Sequence, residues 1–355
     1  MTNQTGSATI SISGRRTNFR ISAFLERMKN MPGFTTHYIF GMKAYNDMPF
    51  TPLKPTIAKY RWLYQLGLQG PDMFFYNIPI LRHRDYRNVG SYMHEHKVNA
   101  FFECCLRRIG TIRSRQQQEE AISYLAGFIN HYIADSICHP YVYGRIGYPV
   151  DAPTSMHHGM HAHLENELDA ILLWKYKKKK PSEFNQTATI CLNGQEIQFI
   201  SHFLASCINE TYYPITYRNN FQVTPAMVHR SIWALRFGCR TLSDKNGKKK
   251  FGIAQVESIF VNHPVASAKM VTDSVTDYRS SCNLNHEAWG NPWDPTRVST
   301  ASFVDLFHET LDKCSRVYAL LNSAVTDNMP LDKQDLSPLL AELGNESYHS
   351  GLPVE

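Results

Sequence analysis

The clearest helical pattern of the chain lies in residues 117–138, which read QQEEAISYLAGFINHYIADSIC. Their apolar side chains recur at the three- and four-residue steps of one helix face, as a buried helix requires. These side chains are Ala121, Tyr124, Leu125, Phe128, Ile129 and Tyr132. Because a proline disfavours helical geometry in the residue before it, Pro140 predicts that this helix ends near His139.

Further helical patterns extend from this segment along most of the chain. A second helix is predicted from Met156 to Tyr176, and others cover residues 202–208, 225–242 and 302–321. The exception is 187–200, TATICLNGQEIQFI, where Asn193-Gly194 joins two β-prone runs and predicts a hairpin. We therefore predict an all-α, multi-helix bundle with one small β-hairpin insertion.

The 355 residues are 43% hydrophobic, enough to bury one substantial core. We expect a flexible tail at 1–30, one helical domain at 31–327, and a short helix and tail at 328–355. No apolar run approaches the roughly 20 residues that cross a bilayer. The first 20 residues lack the apolar stretch of a secretory signal, so a cytoplasmic protein is expected. The eight cysteines form no CxxC motif and are expected to be buried, reduced thiols.

Histidines and carboxylates carry the chemical signal. Nine of the 16 histidines lie between His83 and His163. His131, Asp135 and His139 follow at steps of four, which places imidazole, carboxylate and imidazole on one helical stripe.

The second predicted helix repeats this arrangement with His161, Glu165 and Asp169. A histidine and a carboxylate one turn apart can bind one zinc ion. A lone helical histidine is usually a surface or core residue, but two such pairs in neighbouring helices favour a site for more than one metal ion.

Five short segments together resemble a known family. Residues 131–144, HYIADSICHPYVYG, and 161–169, HAHLENELD, are similar to the two zinc-binding segments of zinc-dependent phospholipase C. Bacterial members of that family also have a histidine near the start of the first helix, a Gly-Pro-Asp turn and a Met-His pair. In this chain the counterparts are THYIFG (36–41), LGLQGPD (66–72) and YMHEHK (92–97), and the likeness continues weakly into NHEAWGNPWD (285–294).

The resemblance implies an all-α zinc hydrolase with two or three Zn²⁺ ions. It assigns one ion to Asp72, His94, His131 and Asp135, a second to His139, His161 and Glu165, and a third to His37 with Asp135 as a bridge. The spacing alone leaves His96 as an alternative to His94, and His163 with Glu167 as an alternative to His161 with Glu165. Asp169 is either a residue that orients a ligand or an ordinary helix charge. Secreted members complete the third site with a mature N-terminal tryptophan, whereas no tryptophan precedes His37 here.

The same resemblance implies phospholipase C-like release of glycerophospholipid headgroups by metal-activated water, with Asp72 and Asp135 as the catalytic carboxylates. A nuclease or other phosphodiesterase with the same metal cluster is the alternative, since Phe74, Phe75 and Tyr76 could stack on a base. A low-activity metal-binding protein is a third hypothesis. The expected partner is a phospholipid or another phosphodiester, and nucleic acid is not favoured.

A run of four lysines stands out in a chain of net charge +6. Such a run is usually a solvated loop. Peripheral membrane contact is its second interpretation. The run comprises Lys177, Lys178, Lys179 and Lys180.

Overall fold

Helices make up nearly all of the regular structure. The computed structural model describes residues 33–77, 89–213, 222–242, 244, 247–258 and 267–355. The predicted tail at 1–30 lies outside these residues. The helices are α1 (Phe34–Asp47), α2 (Leu53–Lys59), α3 (Arg61–Gly67), α4 (Val89–Glu95), α5 (Val98–Thr111), α6 (Arg115–Arg145), α7 (Ser155–Lys177), α8 (Gly194–Tyr212), α9 (Pro225–Leu242), α10 (Lys248–Glu257), α11 (Tyr278–Ser281), α12 (Phe303–Thr326) and α13 (Ser337–Leu343).

Helix α6 is the axis of the fold. It is buried almost all round from Glu120 to Tyr143, as expected of a helix that carries apolar side chains on every face. Its N-terminal half packs into the larger core and its C-terminal half into a second core that includes Phe40, Phe303 and Phe307.

Two glycines let α3 lie directly on α6. A Cβ atom at Gly67 would lie 2.1 Å from the Tyr124 carbonyl oxygen, and one at Gly127 would lie 2.1 Å from the Tyr64 carbonyl oxygen. Only glycine permits two helix backbones to approach this closely. The contact fixes α3, and with it the segment that follows, against the helix that carries His131.

The all-α fold class is confirmed. The helices predicted at 156–176, 225–242 and 302–321 correspond to α7, α9 and α12, and residues 202–208 fall within α8. The described residues form one two-stranded antiparallel sheet, β1 (Trp289–Asn291) and β2 (Asp294–Ser299). Of the eight cysteines, Cys104 is partly buried, Cys191 is exposed and the rest are buried.

The predicted hairpin at 187–200 is wrong. Residues 186–189 form a 3-10 turn and α8 begins at Gly194. Asn193 caps that helix, because its side chain accepts hydrogen bonds from the backbone N–H groups of Gln195 and Glu196. Glu196 completes a capping box by accepting from the N–H of Asn193. The helix start therefore outweighs the Asn-Gly turn signal.

The predicted end of the central helix near His139 is also wrong, because α6 continues through Pro140 to Arg145. A proline inside a helix removes one hydrogen bond and leaves a carbonyl four residues earlier unpaired. That carbonyl belongs to Ser136, and Gly351 packs against it: a Cβ atom at Gly351 would lie 2.5 Å from the Ser136 oxygen. The turn that follows Pro140 is buried in the second core, and this packing outweighs the interrupted hydrogen-bond ladder.

Residues 344–355 lie across the end of α6. Tyr348 is fully buried, and its backbone N–H donates to the His94 carbonyl oxygen. The segment that the sequence suggested was a tail is therefore part of the core. None of the described helices is both long enough and apolar enough to cross a membrane.

Candidate metal centre

Asp135 lies at the centre of a buried group of imidazoles. Its Oδ1 atom is 3.2 Å from His37 Nε2, and its Oδ2 atom is 3.1 Å from His131 Nε2. Oδ1 is also 3.6 Å from His139 Nδ1, one turn further along α6. The four-residue spacing thus places one carboxylate between two histidines of the same helix, and α1 supplies the third.

Asp72 reaches this group from the 3-10 segment Gly70–Tyr76. Its Oδ1 atom is 3.1 Å from His94 Nε2, and its Oδ2 atom is 3.5 Å from His131 Nε2. Gly70 makes the approach possible: its φ of +47° suits glycine, and a Cβ atom there would lie 2.2 Å from His131 Cδ2. The Gly-Pro-Asp turn therefore places the carboxylate of Asp72 beside the imidazole of His131.

A second group lies between α6 and α7. His139 Nε2 and His161 Nε2 are 3.2 Å and 3.0 Å from the same oxygen, Oε1 of Glu165. One ligand atom from each of the three residues fits within a sphere suited to a metal ion, and the same holds for His37, Asp72, His131 and Asp135. The structure therefore brings all eight predicted ligands together. It joins His37 to the first group and attaches His94 through Asp72, so the described residues form two adjoining groups.

Three of the histidines are held in a fixed orientation by backbone carbonyls. The Nδ1 atom of His94 lies 2.7 Å from the Gly90 oxygen, that of His131 lies 3.1 Å from the Leu68 oxygen, and that of His139 lies 2.9 Å from the Tyr348 oxygen. Because a carbonyl only accepts, each Nδ1 must donate a proton to it, so the Nε2 atom, which faces the carboxylates, is the ring nitrogen available to a metal ion. Zinc-binding histidines are oriented in this manner.

The donor set fits a cation. Five buried atoms have no hydrogen-bond partner among the described residues: both oxygens of Asp72, Nε2 of His131, Oδ2 of Asp135 and Oε2 of Glu165. Buried polar atoms without partners are costly, so this many converging acceptors fit a bound cation. Histidine nitrogens with carboxylate oxygens are the ligands that zinc prefers.

A cavity of about 30 Å³ lies beside both groups and is lined by His37, Asp135, His139 and Glu165. This volume suits an ion or one or two water molecules. It cannot contain a phospholipid headgroup, so a substrate of that size would have to approach from the outer side of the site.

The neighbouring imidazoles also determine the protonation of the carboxylates. Burial would raise the pKa of Asp135, but His139, His131 and His37 hold it well below its usual range. Burial would likewise raise the pKa of Glu165, whereas His161 and His139 lower it to about 2. Both carboxylates are therefore ionised at neutral pH and available as ligands.

The histidines divide into two sets. Burial lowers the pKa of His131, which stays neutral. Burial also opposes protonation of His139 and His37, but Asp135 raises the pKa of both, with Glu165 contributing at His139, where the pKa reaches about 10. In the absence of metal, protons on these two imidazoles thus balance the carboxylate charge.

The alternative ligands lie elsewhere. The ring of His96 packs against Tyr92. His163 is about half exposed, and Glu167 accepts hydrogen bonds from the Thr276 N–H and the Ser281 hydroxyl. The register that selects His94, His161 and Glu165 agrees with this placement.

Asp169 neither orients a histidine nor lies free on a helix surface. Its two oxygens accept from the backbone N–H groups of Thr35 and Thr36, at 3.1 Å and 2.6 Å. These are among the first N–H groups of α1, which have no partner within the helix. Asp169 therefore anchors the start of the helix that carries His37.

The sequence analysis did not identify a set of aromatic residues that pack against the ligand histidines. His349 stacks on His94, with ring centroids 4.9 Å apart, and its Nδ1 lies 3.2 Å from the Tyr143 hydroxyl. Tyr143 also packs against His161 and Trp293, at 4.5 Å and 4.9 Å between centroids. The weak NHEAWGNPWD likeness was the one available signal for Trp293; nothing near His349 in the sequence indicated its position.

The comparisons with known proteins agree with this geometry. A family model described as zinc-dependent phospholipase C matches residues 36–216, slightly more than half of the 355 residues. The chain belongs to the zinc-dependent phospholipase C family. The comparisons with curated proteins and with solved structures find no match.

Membership in the phospholipase C family and the buried clusters together support a zinc-dependent hydrolase that acts on phosphodiesters. The family implies a phospholipid as the substrate class. Phe74 and Phe75 are buried, and the ring of Phe75 lies 5.4 Å from that of His94, so neither is free to stack on a nucleobase. The basic run 177–180 is exposed.

Proposed function

We propose that this protein hydrolyses glycerophospholipids and releases the phosphorylated headgroup. The observation that carries the proposal is the fixed orientation of His94, His131 and His139, whose Nε2 atoms all face ionisable carboxylates. A buried core histidine needs only one partner, whereas three that are aligned by backbone carbonyls toward shared carboxylates form a preorganised ligand set.

The proposed ligands form two groups. Asp72, His94, His131, Asp135 and His37 would hold one or two zinc ions, and His139, His161 and Glu165 would hold another. When bound, zinc supplies Lewis acidity, which acidifies water and neutralises charge on phosphate oxygens. The two oxygens of Asp135 face different imidazoles, Oδ1 facing His37 and Oδ2 facing His131, so this carboxylate would be able to contribute one oxygen to each of two ions.

Asp72 is the proposed base. It is buried, and neither oxygen accepts a hydrogen bond among the described residues. A carboxylate oxygen in this state can orient a water molecule and take its proton as the water attacks phosphorus. The diacylglycerol oxygen would then leave with a proton, and the phosphate would remain on the headgroup.

Three aromatic side chains lie beside the group formed by His139, His161 and Glu165. Tyr143, Tyr148 and Trp293 pack against one another, and Tyr148 stacks on Trp293 with ring centroids 5.9 Å apart. Tyr148 and Trp293 are partly exposed. These aromatic side chains offer a binding surface for a headgroup that the 30 Å³ cavity is too small to contain.

The test is a substrate panel. Purified protein is incubated with short-chain glycerophospholipids of different headgroups and with single-stranded oligonucleotides and bis-nitrophenyl phosphate, with and without a chelator. We expect chelator-sensitive release of a phosphorylated headgroup. Cleavage of oligonucleotides alone would assign the nuclease activity instead, and zinc binding without turnover on any substrate would leave a metal-binding protein.

A further inference from the structure

Helix α9 has two chemically different faces. Its inner face consists of Val228, Ser231, Ile232, Leu235 and Cys239, all buried. Its outer face carries Trp233 and Phe237, which are 63% and 53% exposed. Their rings stack in parallel, 5.3 Å between centroids and 9° between planes. A Trp-Phe pair therefore faces solvent on a helix that is already anchored by its other side.

The charge on this face has one sign. The sequence of α9, PAMVHRSIWALRFGCRTL, contains three arginines and no acidic residue. Arg230, Arg236 and Arg240 flank the aromatic pair, and in the described part of the chain none of them forms an ion pair. The outer face of α9 is therefore both aromatic and positively charged.

The helix is also connected to the candidate metal centre. Asn77, which follows the segment that holds Asp72, donates to the Met227 carbonyl and to the Ser231 hydroxyl of α9, at 3.1 Å and 2.9 Å. The backbone at Gly238 lies against the ring of Tyr76, where a Cβ atom would come within 2.3 Å. A partner bound to the outer face of α9 would thus be held about one helix diameter, ~10 Å, from the Asp72 segment.

We propose that the outer face of α9 binds an anionic phospholipid surface. Tryptophan and phenylalanine favour the boundary between headgroups and acyl chains, and arginines attract anionic headgroups. The inference deepens the proposed function, because it rests on a bilayer lipid as substrate. It assigns membrane contact to α9, which lies outside the residues that match the family, and not to the lysine run 177–180.

Vesicle binding tests this without any turnover. Sedimentation with phosphatidylcholine vesicles, with and without phosphatidylglycerol, is compared for wild type and for the double variant Trp233→Ala with Phe237→Ala. Loss of one such aromatic contact is expected to weaken partitioning roughly 10-fold to 100-fold. The matched control is Trp174→Ala with Phe50→Ala, at aromatic side chains that are 56% and 91% exposed elsewhere.

Charge is tested separately. Arg236→Gln with Arg240→Gln is expected to weaken binding to phosphatidylglycerol vesicles by about five-fold for each arginine removed. Raising the salt concentration should reduce the difference. Lys177→Gln with Lys179→Gln is the control on the competing basic surface and should bind as wild type does. Thermal unfolding shows that each variant is folded.

The location of the contact has its own readout. Brominated phospholipids should quench wild-type tryptophan fluorescence, and Trp233→Phe should remove most of that quenching. The inference is overturned if the α9 variants bind vesicles like wild type, if the control variants lose binding equally, or if this face binds a single-stranded oligonucleotide and no vesicle. Because binding is measured without catalysis, inactivity toward phospholipids would refute the proposed function and leave this result standing.

Discussion

Asp135→Asn separates metal binding from folding more cleanly than any other substitution in the site. The amide keeps the size of the carboxylate but has only one oxygen. The asparagine can therefore offer a metal-binding oxygen on the side of His37 or on the side of His131, but not on both. Asp135 Oδ2 lies 3.1 Å from His131 Nε2, and that nitrogen has a free lone pair because Nδ1 donates to Leu68. The new NH₂ group can therefore donate to His131 in the metal-free variant.

This geometry gives the expected magnitudes. The new hydrogen bond offsets most of the lost charge interaction, so the free energy of unfolding of the metal-free protein should change by about 1 kcal/mol. Zinc content should fall by at least one ion per chain. Activity should fall by two to four orders of magnitude, about 3 to 5 kcal/mol in the barrier, because metal-assisted activation is removed.

Elemental analysis, kcat/KM on a short-chain phospholipid and chemical denaturation measure the three quantities. Asp169→Asn is the matched control, since Asp169 is equally buried but caps α1 through Thr35 and Thr36. It should cost about 1 kcal/mol of stability and keep its zinc. Full zinc content and near-normal turnover in Asp135→Asn would refute the bridging role.

Three further outcomes follow from the geometry. Gly70→Ala should lower both the unfolding temperature and the zinc content, since its Cβ would meet His131 at a φ of +47°; unchanged thermal unfolding would contradict this. His161→Ala should lose one zinc and keep the first group loaded, as elemental analysis would show; loss of all metal would mean the groups are not separate. Zinc affinity, measured against a competing chelator, should rise with pH up to about 10, because protons held by His37 and His139 must leave. A pH-independent affinity would exclude this.

The ligands on α6 could be predicted from the sequence because they lie close together along the chain. His131, Asp135 and His139 follow at helical steps, and the helix period alone places them on one side of α6. The same holds for His161 and Glu165 on α7. That Asp72 faces His131 depends on the close packing of α3 on α6, which no local pattern contains. The sequence indicated it only through the resemblance of the Gly-Pro-Asp turn, and metal binding by these side chains stays a prediction.

The errors have physical causes of the same kind. Asn-Gly is a turn signal and Asn-x-x-Glu is a capping box, and residues 193–196 satisfy both; the helical pattern that follows decides between them. Pro140 should end a helix, but the turn that follows it is buried in the second core, and Gly351, more than 200 residues later in the sequence, packs against Ser136 and Pro140. Contacts between residues so far apart in the sequence do not appear as a helical or strand pattern.

The docking of residues 344–355 has a consequence for how the protein acquires its metal. The carbonyl that orients His139 belongs to Tyr348, 209 positions later. At 5 to 20 residues per second, a ribosome needs roughly 10 to 40 s to translate that interval. Throughout this time the imidazole of His139 lacks the backbone carbonyl that orients it. Zinc should therefore load after synthesis of the final segment, and a cell that withholds zinc until then would avoid trapping the ion in a half-built site.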